Sequence, residues 1–191
     1  MAPRGKAPDT LSRLAGQEGA DEMPAPVEKR VFADAMSRVA ASVWVVTAGR
    51  EEARAGRTAT SVMALTAEPP RLVASISAAS PLAQAIVAEN GFSLALLAVD
   101  QGAVGDAFAG HIPPGERFRS DAWEVWPSGR PRLRGAVLAL DCTLAGVVDT
   151  GANTLFIGTL IATRTRDADP LLWHRRAYRE LAPVPRENKM P

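Results

Sequence analysis

Two long β-rich runs, residues 136–149 and 154–165, lie on either side of Thr150-Gly151-Ala152-Asn153. Glycine and asparagine between extended apolar runs are turn chemistry, so the pair predicts a long antiparallel hairpin. The same texture recurs upstream in shorter pieces. Residues 42–48 (SVWVVTA) are β-branched and aromatic, 58–65 (TATSVMAL) alternate, and 71–77 and 92–98 follow as third and fourth strands. Pro69-Pro70 separates the second from the third, because proline donates nothing to a ladder. Helices are few. Residues 29–41 place Val31, Phe32, Ala35, Met36, Val39 and Ala40 on one helical face. Ser80-Pro81 opens a second helix as N-cap and first-turn proline, with Leu82, Ile86 and Val87 apolar and Gly91 where a C′ glycine belongs. Residues 100–110 predict a short helix, and the Trp/Tyr/Arg-rich segment 170–181 a closing one. Six or more strands that do not alternate strictly with helices predict a mainly β fold. An antiparallel barrel with helical decoration fits them better than a doubly wound parallel sheet.

At 191 residues the chain accommodates one ordinary domain with tails. Residues 1–26, rich in Pro, Gly, Ala and charge, predict a flexible N-terminal tail. Residues 27–181 form the domain and 182–191 a C-terminal tail. Lys and Arg number 22 against 21 Asp and Glu, a balance that gives no general argument for nucleic acid or an anionic membrane. No run approaches the roughly 18 apolar residues of a membrane span, and the N-terminus lacks a signal-peptide core. The single cysteine, Cys142, cannot close an internal disulfide and reads as a small buried hydrophobe of a cytoplasmic protein. Residues 111–134 hold four prolines with Trp123 and Trp126, a connection long enough to cover a site.

The usual catalytic signatures are missing. His111 and His174 have no metal-ligand partners at suitable spacing, so no metal site is expected. There is no nucleophile elbow, P-loop or dinucleotide fingerprint, and no carboxylate pair stands out. Chemistry borne by a bound cofactor asks little of side chains beyond positioning. Thr58, Thr60, Ser61, Ser75, Ser77 and Ser80 gather at the ends of two neighbouring strands and a helix start, a pattern that ordinary capping also produces. Arg54 and Arg57 flank this stretch as phosphate contacts or as a solvated turn. His174, Arg175, Arg176 and Tyr178 are either a clamp for phosphates or a charged face over an aromatic anchor.

Short motifs follow one another along the chain, beginning with Phe32-Ala-Asp-Ala-Met-Ser-Arg-Val-Ala and Val43-Trp-Val-Val-Thr, then Gly56-Arg-Thr-Ala-Thr-Ser-Val and Ser75-Ile-Ser. Phe92-Ser-Leu-Ala-Leu-Leu, Arg117-Phe118, Gly151-Ala-Asn-Thr-Leu-Phe-Ile-Gly and Pro170-Leu-Leu-Trp-His-Arg-Arg-Ala-Tyr-Arg complete the order, which runs from about Val27 to about Leu181. That order resembles the flavin reductase-like FMN-binding split-barrel family, which includes the reductase components of two-component flavin monooxygenases.

The resemblance implies a six-stranded Greek-key split β-barrel with short flanking helices, homodimeric, binding FMN (or FAD) near the subunit interface. The implied activity is NAD(P)H:flavin oxidoreduction, with reduced flavin passed to a partner monooxygenase. A non-catalytic flavin- or haem-binding barrel and a self-contained flavoenzyme are the alternatives. Thr58, Ala59, Thr60 and Ser61 would line the isoalloxazine and ribityl chain, with Ser75, Ile76 and Ser77 under the ring. Ser80 would approach the phosphate from a helix N-terminus, and Arg117 and Phe118 would border the mouth. Asn153 would position the nicotinamide, standing where the family carries histidine, and Ala95 stands where it carries asparagine. Asn153 still donates and accepts hydrogen bonds but carries no charge.

Overall fold

The structure, a computed structural model, describes residues 25–120 and 122–183. The expected tails 1–26 and 182–191 therefore fall almost wholly outside the described residues. The chain divides at Met36/Ser37 into two units. Helix α1 (Lys29–Ser37) carries the described part of the first, and it stops four residues short of the expected end. The second unit holds strands β1 (Ala41–Ser42), β2 (Trp44–Ala48), β3 (Ala55–Ala59), β4 (Val62–Ala67) and β5 (Pro70–Ser77). Helix α2 (Pro81–Ala88), β6 (Gly91–Leu96) and helix α3 (Gly102–Asp106) follow, then β7 (Trp123–Val125) and β8 (Pro131–Leu133). The long hairpin is β9 (Leu138–Asp149) with β10 (Asn153–Thr165), and β11 (Leu172–His174) and β12 (Ala177–Arg179) close the fold.

Seven strands make one antiparallel sheet in the order β3-β2-β6-β9-β10-β5-β4, with the long hairpin inside it. The fold is mainly β as expected, but this ladder has seven strands rather than six. It is not closed, since β3 and β4 are its unpaired edges. The register of β9 on β10 shifts between Ile157 and Gly158 and again between Leu160 and Ala162. Such bulges bend a strand and increase its twist. Gly158 sits at the first of them because a Cβ there would lie 2.7 Å from Phe92 Cζ and 2.8 Å from Cys142 Cβ.

Three local expectations are corrected. The run 58–65 is not one strand: Thr60-Ser61 break it, so β3 and β4 belong to opposite edges of the sheet. The closing segment is not a helix. Arg175 and Arg176 take φ of 51° and 61°, which turns the chain back, and Trp173 pairs with Tyr178 across β11–β12. Those two aromatics pack on the same apolar cluster as a cross-strand pair, an arrangement with strand rather than helix periodicity. Finally, Asn90 at φ 48° takes the left-handed position after α2, and Gly91 is already in β6. The other helix start is as read, with Ser80 Oγ accepting from Leu82 N at 3.2 Å.

Side-chain alternation divides the core into two layers. Val46, Phe92, Leu94, Leu140, Cys142 and Phe156 point to one side, where Leu82 and Ile86 of α2 cover them. Val43, Val45, Ala95 and Leu97 point to the other and meet Phe108, Leu133 and Leu171. Strands β2 and β6 are thus covered on both faces, so buried polar groups there must be paired. Asp141 and Arg130, each almost wholly buried, form an ion pair at 2.7 Å. Trp126 Nε1 donates to Ser93 Oγ at 2.9 Å, and Ser93 Oγ donates to the Leu140 carbonyl at 3.0 Å. Burial also pushes the Cys142 thiol up to about 12, with the Asp141 carboxylate adding to the rise and Arg130 opposing it. Asp141→Asn would leave the Arg130 charge buried and unpaired. We expect it to lower unfolding free energy by about 3–5 kcal/mol in urea titrations; a loss within error would mean that Arg130 finds water or another acceptor.

Candidate functional site

A cavity of about 440 Å³ lies where the chain leaves one sheet edge and enters the other. Its volume falls in the range of small-molecule sites, roughly 300–1,000 Å³. Arg57, Thr58, Ala59, Thr60 and Ser61 form its first wall, at the end of β3 and the link to β4. Ser75, Ile76 and Ser77, at the end of β5, form the second. Ser75 N–H donates to the Ser61 carbonyl at 3.0 Å and ties these walls together. Asp106, Ala109 and His111 come from α3 and the wide turn after it, where Gly110 adopts φ 117°. Trp173 and Tyr178 complete the lining with Val43, their rings edge-to-face at 5.2 Å.

Gly105 joins two of these walls. Its carbonyl accepts from Thr58 Oγ1 at 2.6 Å. A Cβ on it would lie 2.5 Å from the Tyr178 hydroxyl, so only glycine lets that ring come so close. Tyr178 then donates to Asp106 Oδ1 at 2.8 Å, and His111 Nδ1 stands 3.9 Å from the same oxygen. Burial, the hydrogen bond to Asp106 and the negative charge of that carboxylate push the Tyr178 hydroxyl up to about 12. The phenol therefore stays protonated across the ordinary pH range and acts as a donor.

The structure brings seven of the residues singled out in the sequence into one cavity: Thr58 to Ser61 and Ser75 to Ser77. Thr58 turns its hydroxyl to Gly105, whereas the side chains of Thr60, Ser61, Ser75 and Ser77 make no hydrogen bond with the described residues. Asn153, the first residue of β10, is exposed and pairs with Ser77, next to the lining. Ser80 is buried and caps α2 without reaching the cavity. Arg117 and Phe118 lie behind the first wall. Arg117 Nε donates to the Ile112 carbonyl at 3.0 Å and Nη1 to the Gly56 carbonyl at 3.2 Å. Burial, and then the nearby Arg57 cation, lower the Arg117 guanidinium from its usual pKa. Phe118 packs edge-to-face on Phe108 and Trp123 beneath Arg54. Ala95 belongs to the second core layer and does not line the cavity. Asp106, Ala109 and His111 had no sequence signal, because a wide turn brings them in at no regular spacing. Among the described residues no cluster of His, Cys, Asp or Glu could hold a metal.

Residues 36–182 match the family model described as the flavin reductase like domain. The chain belongs to that family. An FMN reductase (NADH) RutF of Ancylobacter novellus is 33% identical over 168 residues, covering 87% of this chain and 92% of the relative. The NADH:FAD oxidoreductase SgcE6 of Streptomyces globisporus superposes with a TM-score of 0.76 at 26% identity, over 84% of this chain and 99% of that one. BorF, the flavin reductase component of a bacterial two-component tryptophan halogenase, gives a TM-score of 0.76 at 25% identity, over 82% and 100%. Within this flavin reductase-like chain the contact at Gly105 is directly testable, because Tyr178 is the sole tyrosine. A tyrosine whose pKa is raised on folding stabilises the fold below its unfolded value near 10 and loses that contribution as pH rises toward 12. Gly105→Ala forces the ring away from Asp106. The tyrosinate absorbance should then titrate closer to 10, with stability lowered by about 1–3 kcal/mol; an unmoved titration would show that the Tyr178–Asp106 bond survives.

Proposed function

We propose that this chain is an NADH-dependent flavin reductase that acts on FMN (or FAD) and supplies reduced flavin to a monooxygenase component. The single observation that carries the reading is the set of unpartnered hydroxyls of Thr60, Ser61, Ser75 and Ser77 around one cavity. A flavin bound there supplies a two-electron acceptor for the hydride of NADH, with the balancing proton taken from water. The chain itself binds and orients. Four hydroxyls and the ends of β3 and β5 offer donors and acceptors to a heterocycle and a polyol. Ile76 and Val43 give an apolar surface for a ring, and Trp173 and Tyr178 an aromatic one. Arg57, with Arg117 behind it, supplies positive charge for a phosphate; neither has a carboxylate partner among the described residues. Ser80 contributes by capping α2, Phe118 by supporting the wall that carries Arg57, and Asn153 by offering its amide beside Ser77 to the nicotinamide.

The relatives named for NADH support that donor over NADPH. The sheet is read as the wall of a Greek-key split barrel that pairs with a second copy. Exposed Met63, Leu65, Val147, Val148 and Ile161, on strands β4, β9 and β10, favour such a homodimer. No described helix is long and apolar enough to cross a membrane, and we place the protein in the cytoplasm. Mixing catalytic amounts of protein with NADH and FMN without oxygen should bleach the flavin band over many turnovers, faster than with NADPH. Ser61→Val with Ser77→Val should raise the KM for flavin on the order of tenfold. Flavin that binds but is not bleached by either nucleotide would overturn the reductase reading in favour of a non-catalytic barrel.

A further inference from the structure

The turn between β11 and β12 holds two non-glycine residues in the left-handed region, Arg175 at φ 51° and Arg176 at φ 61°. A two-residue hairpin turn with both φ positive is the type favoured by Asn-Gly, and arginine gains nothing there conformationally. Residues kept in such positions point to a use for their side chains. Both arginines are exposed and neither has an ion-pair partner among the described residues. The turn is also held firmly. Arg175 N–H donates to the Ser37 carbonyl at 2.7 Å, and the hairpin is pinned through Tyr178 to Asp106. Two residues back along each strand, the cross-strand pair Trp173 and Tyr178 lines the cavity. That is roughly 7 Å of strand, a distance an extended arginine side chain is long enough to cover.

We infer that Arg175 and Arg176 are an anchoring site for the phosphates of the nucleotide that brings the hydride. The inference rests on the reductase reading and adds a second cationic pole to the site. Arg57 and Arg117 serve one phosphate-bearing ligand at the first wall, and the turn serves the other beyond Trp173 and Tyr178. Adjacent guanidinium groups suit a pyrophosphate, since each makes charge-assisted and often bidentate bonds to phosphate oxygens.

The test replaces the turn by the sequence its backbone favours, Arg175→Asn with Arg176→Gly. Relief of strain should raise Tm, while the KM for NADH rises on the order of 10- to 100-fold and its dependence on salt flattens. Arg175→Lys with Arg176→Lys keeps the charge and the turn, and should fall between wild type and the first variant in KM. Lower Tm together with loss of all activity in both variants would mean a merely structural turn and would overturn the proposal. An unchanged KM for NADH at low salt would do the same. A rise in KM for FMN but not for riboflavin, with NADH unaffected, would assign the phosphate to the flavin and overturn the assignment to the donor. If wild-type protein reduces no flavin, the reductase reading fails by itself. Calorimetric binding of ADP-ribose, present in wild type and lost in the Asn-Gly variant, still decides the turn.

Discussion

Two residues, Thr60 and Ser61, carry the chain from one edge of a seven-stranded sheet to the other. Laid flat, six strand spacings would separate those edges by roughly 29 Å, whereas three Cα–Cα steps reach about 11 Å. The sheet has no choice but to curl, and the other features follow from that curl. The register shifts of β9 on β10 supply the bending, with Gly158 leaving room for Phe92 and Cys142 on the inside of the curve. The closing movement brings the end of β5 against the link, where Ser75 meets Ser61. Because the edges approach without pairing, a gap is left beside them, and the candidate site occupies it.

Much of this was legible beforehand. The long hairpin, the strands around Val45, Val73 and Leu94, and the Ser80-capped helix came from alternation, turn residues and capping chemistry. The cluster of small hydroxyl residues was visible too, and five of its six members, all but Ser80, do share one cavity. Where the reading failed, tertiary context outweighed local pattern. TATSVMAL alternates as one strand would, and only the need to bridge two edges breaks it at Thr60-Ser61. The closing segment carries aromatic and basic residues at spacings a helix could use. The Trp173–Tyr178 pair, packed on the second core layer, decides for a hairpin even though its turn must then accept arginines at positive φ. Asp106 and His111 were out of reach, since a wide turn and a positive-φ Gly110 set their positions.

Hydroxyls predominate over charged groups in the polar part of the site. Arg130 and Asp141, the one ion pair buried at both ends among the described residues, lie in the frame and away from the cavity lining. The lining instead combines unpartnered hydroxyls, apolar side chains, a protonated phenol, Arg57 and the Asp106–His111 pair. Such a surface suits a ligand that brings its own reactivity, and it explains why a search for catalytic motifs in the sequence returns nothing.

Gly105 gives this arrangement a mechanical property. Its carbonyl holds Thr58 on one wall, and its bare Cα receives the Tyr178 hydroxyl from another. A single peptide unit is thus the joint between strand β3 and the β11–β12 hairpin. A side chain added at that joint would therefore disturb both walls of the cavity at once.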